Sequence, residues 1–154
     1  MPQYLIRYFA QTDARLYGFE VSTTVQLIEH LAATAIVGYV NATAVRDSTQ
    51  PLPFTPPMKG LVRLNYQDNI YAAMIEWRLT AKQDWVGIGE TPTAGNGILN
   101  LGFGVRLPMG GAVHDISIHC DNLLNQRYFD HLSVFHTFLS QPARGFRLTY
   151  DLIF

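Results

Sequence analysis

The chain has 154 residues, of which 48% are apolar and 15% charged, with a net charge of -1. An average soluble domain carries about 25% charged residues, so part of this surface is expected to face something other than water. The near-neutral balance excludes a basic nucleic-acid field. No run reaches the length of about 18 apolar residues that a transmembrane helix needs, and a lone Cys120 excludes an internal disulfide.

In chain order, Met1-Pro2-Gln3-Tyr4 lacks the basic and apolar segments of a signal peptide. An exported protein needs one, so a start internal to a longer gene is expected. Gln3 to Phe9 is apolar and aromatic around Arg7, and with Ala14 to Leu27 it reads as one long strand bulged near Thr12-Asp13. Tyr17, Phe19, Val21, Val25 and Leu27 take one face; Gly18, Glu20, Ser22, Thr24 and Gln26 take the other. Period two is the strand signature. After a short turn at 28–30, Leu31, Ala33, Ala35, Val37 and Tyr39 resume the alternation. Arg46 to Pro57 holds four prolines and reads as an exposed loop. Met58 to Gln67 follows, then the turn Asp68-Asn69, then a strand from Ile70 to Val86 with Tyr71, Ala73, Ile75, Trp77 and Leu79 on its apolar side. Gly87 to Gly97 is a second loop. Leu99 to Leu107, the turn Pro108-Met109-Gly110-Gly111 and Ile116 to Cys120 come next; Gly102 and Gly104 are expected to make room along the polar side. Cys120 reads as a small apolar filler. Asn122 to Ala143 is a third loop, and Arg144 to Phe154 is the last strand, with Phe146, Leu148, Tyr150, Leu152 and Phe154 two apart.

The expectation is an all-β chain, an antiparallel up-and-down meander of about seven long strands. Its turns alternate short and long, so all short turns fall at one end and all long loops at the other. That is the layout of an outer-membrane barrel. A soluble barrel shares it but turns its apolar faces inward, so pattern alone leaves both open. Strand length and low charge favour the membrane. Under that reading Glu20, Arg63, Glu76, Arg78, Lys82, Arg106, His119, Arg147 and Asp151 line an aqueous interior, and Trp77, Trp85, Tyr39, Tyr71, Tyr128 and Tyr150 are candidates for interfacial girdles.

Four stretches carry a family resemblance. Ala14-Arg15-Leu16-Tyr17-Gly18-Phe19-Glu20 is similar to a strand opening, Pro51 to Pro57 to a Pro-rich loop, and Asp121-Asn122-Leu123-Leu124-Asn125 with Tyr128 to a specific Asn-Leu motif. Arg147 to Phe154 is similar to a terminal strand that ends on an aromatic residue. In that order, and together, they resemble the C-terminal part of a TonB-dependent outer-membrane receptor. The resemblance implies a roughly 22-stranded transmembrane β-barrel with a plugged lumen, set in the outer-membrane lipid of a Gram-negative bacterium. It implies import of a metal ion or metal chelate, such as a siderophore or zinc, driven by the TonB system through the plug. It also implies that Tyr150, Leu152 and Phe154 form the strand read by the barrel-assembly machinery. About seven strands and no plug depart from that pattern, so residues 1–154 are expected to be the C-terminal portion of such a barrel.

Enzyme chemistry is not expected. There is no Gly-rich phosphate loop, no His pair of the metalloprotease kind and no Gly-x-Ser-x-Gly. No cofactor is expected either; zinc or an iron chelate would be cargo. His131, His136 and Asp130 share the third loop and are the candidate metal ligands, with Glu90 and Asp84 as possible additions. His114 and His119 are five apart on a strand and point to opposite faces. The alternatives are a soluble antiparallel β domain that binds a ligand or protein partner on its apolar face, and a small hydrolase or deaminase built on the histidines.

Overall fold

The structure is a computed structural model that describes residues 11–154. The expected strand over Gln3 to Phe9 lies outside the described residues. Seven strands follow one another: β1 Ala14–Ile28, β2 Leu31–Ala44, β3 Lys59–Gln67, β4 Tyr71–Thr80, β5 Asn96–Met109, β6 Ala112–Asp121 and β7 Gly145–Ile153. They form one antiparallel sheet in the order β1 to β7, each paired with its sequence neighbour. Every strand has at least 9 residues and three have 14 or 15. A tilted strand needs about 9–11 to cross a bilayer.

Register follows from the tight turns. Gly110 and Gly111 have φ of 65° and 83°, the left-handed values that a two-residue hairpin demands and that glycine adopts without strain. That turn sets Met109 opposite Ala112 and Leu107 opposite His114. At the β3–β4 turn, Asp68 Oδ1 accepts from the backbone N–H of Ile70 and of Tyr71 at 2.7 and 2.6 Å. At the β1–β2 turn the register shifts between Gln26 and Ile28, and Gln26 Nε2 donates to the carbonyls of Ile28 and Glu29.

Partners in an antiparallel ladder share a face, so the register joins the apolar rows of all seven strands. One continuous row runs Val21, Val37, Gly60, Leu79, Gly97, and parallel rows run Val25, Ala33, Leu64, Ile75, Leu101, Cys120, Phe146 and Tyr71, Val105, Ile116, Tyr150. The opposite face carries Thr24, Thr34, Arg63, Glu76 and Asn100 in one row, and His119 beside Arg147. The lining residues expected at Glu20, Arg63, Glu76, Arg78, Arg106, His119, Arg147 and Asp151 all fall on this polar face.

None of the described residues covers the apolar face. Phe19, Val62, Ile75, Trp77, Phe103, Ile118, Phe146 and Leu148 are each about half exposed or more, and no large side chain among the described residues is fully buried. Among the described residues only Ala42, Ala44, Ile98 and Cys120 form the buried apolar set, whereas Asn41, Thr43, Thr55, Glu76, Thr93, Asn100, Asn122 and His131 are buried and polar. The usual inside-out order of a soluble domain is therefore reversed.

Two expectations on element ends need correction. β4 stops at Thr80 instead of continuing to Val86. Its partner β3 is preceded by Pro56 and Pro57, which supply no N–H, so past the bond from Ala81 to Met58 only the single bridge Gln83 to Thr93 remains. β1 begins at Ala14, and residues 11–13 are not part of it. The long connections are accordingly 45–58, 81–95 and 122–144, all at one end of the sheet.

Candidate functional site

The polar face holds a connected set of charges. Arg63 donates through Nε and Nη2 to Oε2 of Glu76. Asn100 Nδ2 donates to Oε1 of the same carboxylate at 3.0 Å. Asn100 Oδ1 in turn accepts the backbone N–H of Asn122 at 2.9 Å. Asn122 sits at the root of loop 122–144 with φ 52°. Its side chain ties both arms of the loop together: Oδ1 accepts from Gln126 N at 2.9 Å, and Nδ2 donates to the carbonyls of Gln126 and Pro142. Further down the face, Arg106 grips Asp115 through Nε and Nη2 at 2.8 and 2.7 Å. Gly102 faces His119 on the neighbouring strand; a Cβ there would lie 3.0 Å from His119 Nδ1, so the glycine makes room for the ring.

The three long loops interlock. Glu90 Oε1 accepts Phe54 N at 2.6 Å and its Oε2 accepts Gly87 N at 2.9 Å. Gln83 Nε2 donates to Thr55 O at 3.0 Å. These bonds join loop 45–58 to loop 81–95. The third loop joins through its histidines: Thr91 Oγ1 lies 2.8 Å from His136 Nε2, and Thr93 Oγ1 lies 3.1 Å from His131 Nδ1. A carbonyl only accepts, so the 2.7 Å contact between His136 Nδ1 and Ser133 O places a proton on that nitrogen.

His131 and His136 do meet, with ring centroids 5.6 Å apart. The rest of the expected donor set does not assemble. Among the described residues no three His, Cys, Asp or Glu groups stand together around a metal-sized space. Asp130 Oδ1 accepts the N–H of Leu132 at 3.2 Å, Asp84 pairs with Lys82 at 2.8 Å, and both oxygens of Glu90 hold backbone N–H groups. Both nitrogens of His136 are also engaged. As folded, the pair joins two loops rather than chelating. His131 is 2% exposed and its Nε2 has no hydrogen-bond partner. Burial holds its imidazole below the usual histidine range; His136 acts in the same direction, while Glu90 and Asp130 oppose it. Sequence reasoning missed Thr91 and Thr93, which lie in a different loop and carry no pattern of their own; it named Glu90 as a ligand, whereas the carboxylate holds backbone N–H groups.

His114 and His119 fall on opposite faces. His114 Nδ1 lies 2.8 Å from the Tyr150 hydroxyl on the apolar side, the two rings stacked, and His119 faces Arg147 on the polar side. Among the girdle candidates, Tyr71 stacks on Phe103 and Tyr39 packs on Phe19, both on the apolar face. Trp77 is on that face too, and Trp85 is exposed in loop 81–95. Tyr128 is a correction. It lies over the polar face with Arg78 and Asn96, because loop 122–144 folds back across that face. In the terminal strand Tyr150 and Leu152 belong to the exposed apolar face, and Phe154 lies just past the last ladder pair.

No family model matches the sequence, and no curated protein matches it. Among solved structures, a copper transporter, OprC, matches 93% of this chain with a TM-score of 0.81 and 24% sequence identity. The match spans 24% of that transporter's chain. At this identity the likeness is one of fold: seven antiparallel strands arranged as in a segment of that protein.

Proposed function

We propose that this chain is the C-terminal part of an outer-membrane transport barrel of the TonB-dependent kind, and that the whole protein imports a metal ion or metal chelate without catalysing a reaction. One observation carries the reading: among the described residues the apolar face is continuous and bare, while the buried side chains are mostly polar ones, Glu76 and Asn100 on the opposite face and Asn41, Thr43, Thr93, Asn122 and His131 at the loop ends. Half-exposure of a large apolar side chain forgoes about 1 kcal/mol, so some fifteen of them forgo on the order of 15 kcal/mol in water. That equals the whole net stability of a typical domain. In hydrocarbon the cost vanishes. The fold likeness to a segment of a copper transporter supports the same direction, as do the strand lengths and the short-turn, long-loop asymmetry.

The remaining strands of a roughly 22-stranded barrel would pair with the edges of β1 and β7 that no described residue covers, since backbone groups left unpaired there would each cost several kcal/mol in lipid. The polar face would then be the lumen wall, Tyr150, Leu152 and Phe154 the strand presented to the assembly machinery, and the TonB system would act through a plug. A soluble β domain would need a cover over the apolar face, and the described residues supply none.

Two tryptophans make the test direct. In a Trp85→Phe variant Trp77 is the only emitter. Brominated lipid should quench it strongly in vesicles, and the reciprocal Trp77→Phe variant should resist quenching. Equal quenching of both, or a monomer that stays soluble without detergent, would overturn the membrane reading. Metal uptake by the whole protein that persists after the energising system is removed would overturn the transport reading.

A further inference from the structure

Loop 122–144 comes down over the polar face and closes a cleft of about 280 Å³ against β3, β4 and the start of β5. Tyr128, Phe129, Asp130 and Gln141 form its loop side, and Lys59 and Arg78 stand on its sheet side. Lys59 pairs with Thr80 and Leu61 with Arg78, so the two cations are diagonal neighbours on one face, about 7–8 Å apart at the backbone. Two other arginines of this face are spoken for, Arg63 by Glu76 and Arg106 by Asp115, and Arg147 stands away on β7 beside His119. Glu76 is two residues from Arg78 on the same strand face, yet Arg63 and Asn100 occupy its oxygens. Among the described residues Lys59 and Arg78 make no ion pair. The loop side is clamped by the bond from Gln141 N to Tyr128 O at 2.9 Å, and Arg127 stands over one face of the Phe129 ring at 5.4 Å. One carboxylate, Asp130, faces two cations, and its Oδ1 already accepts a backbone N–H.

We propose that this cleft binds an anionic ligand with a flat unsaturated body, a planar dicarboxylate or its negatively charged metal chelate, and selects against an uncomplexed metal cation. This rests on the polar face being the lumen of a transporter and names the chemical class of its cargo. The guanidinium fork of Arg78 matches a carboxylate edge. Lys59 supplies a second, mobile charge for the other carboxylate. Tyr128 and Phe129, on the loop side, offer apolar area to a flat ring. A bare divalent ion would meet a net positive cleft and would have to shed water without the donor set that divalent metals require.

The test uses the whole chain in detergent micelles and isothermal titration with four probes: dipicolinate, its zinc chelate bearing two dipicolinates, the neutral dipicolinic diamide, and zinc ion alone. The dianion, the chelate or both should bind saturably, and the diamide and zinc ion at least about tenfold more weakly, a difference of about 1.4 kcal/mol. Binding of both anions assigns recognition to the carboxylates; binding of the chelate alone assigns it to the metal-loaded anion. Lys59→Gln and Arg78→Gln should each weaken binding about tenfold, Arg78→Lys should recover part of it, and Asp130→Asn should strengthen it. These side chains are solvent-accessible, so strand circular dichroism should not change. Equal affinity for dipicolinate and its diamide, tighter binding of zinc ion than of either anion, or no saturable binding by folded protein would overturn the proposal. Lipid quenching of Trp77 reads the membrane assignment separately.

Discussion

At the scale of single residues, burial decides which polar contacts matter. Glu76 is 7% exposed and holds Arg63 and Asn100 at once. Its truncation in Glu76→Ala strands a guanidinium and an amide that the loop root depends on, so a loss of about 2–4 kcal/mol is expected by urea unfolding in lipid vesicles. The Arg106 to Asp115 pair has equally good geometry but is open to water, with side-chain exposures of 55% and 26%. Asp115→Ala should cost less than about 1 kcal/mol in the same assay. Equal losses would mean that the Glu76 cluster is no more than a solvated ion pair. Glycines divide the same way. A Cβ on Gly18 would collide with the backbone carbonyl oxygen of Tyr39, whereas one on Gly102 meets only the His119 ring. Backbone in a ladder cannot give way as a side chain can, so Gly18→Ala should destabilise by about 1–3 kcal/mol and Gly102→Ala by clearly less. The sequence carried Gly18 and Glu20 as a pair two apart; what it could not carry was the opposing Tyr39, 21 positions on, whose approach makes the glycine necessary.

At the scale of elements, strands were legible and loops were not. Alternation is local, so the faces of Tyr17 to Leu27 or of Tyr71 to Leu79 can be read without a partner, and tight turns then propagate the register. Ends depend on neighbours, which is why β4 runs out where Pro56 and Pro57 stop its partner. The fold of loop 122–144 back across the polar face depends on Asn100, Thr91 and Thr93, all in other elements, and this is what placed Tyr128 in the wrong setting. The same docking predicts a pH response. His131 is buried against Thr93 with Nε2 unpartnered, and protonation would place a charged N–H there, beside His136. Its pKa in the docked loop is lowered from the ordinary 6.5, chiefly by burial. The undocked loop therefore binds more protons, so docking is at full strength above about 6.5 and weakens as pH falls from there toward the docked value. Glu90 and Asp130 nearby moderate the loss without reversing its sign. Amide exchange in 128–141 should accelerate as pH is lowered from about 7.5 to about 5, after correction for intrinsic rates, and His131→Phe should flatten the dependence. Protection that stays constant across that range would sink the idea.

At the scale of the whole molecule, the question is what touches the apolar face, and a charge can be moved along one strand to ask it. Leu99, Leu101, Phe103, Val105 and Leu107 of β5 all point to that face, from the loop end to the turn end. In lipid the cost of an arginine depends on depth, about 2–4 kcal/mol at the bilayer midplane and about 0–1 near either interface. Single replacements by arginine should therefore trace a peak centred near Phe103, read as the loss of folding free energy in vesicles. On the polar face of the same strand, Asn100 is held by Glu76 while Gly104 is open to its neighbours only at 3.6 Å or more, so Gly104→Ser should sit near zero and serve as the baseline. Were the face bathed in water, an arginine at Phe103 would meet no depth-dependent cost and the five values would lie flat. Were it packed against an unseen protein layer, the costs would follow the contacts of that layer and need not fall off symmetrically toward Leu99 and Leu107. Only hydrocarbon makes the penalty a function of height alone, so a symmetric peak along β5 would identify the solvent of this sheet independently of any likeness to known barrels.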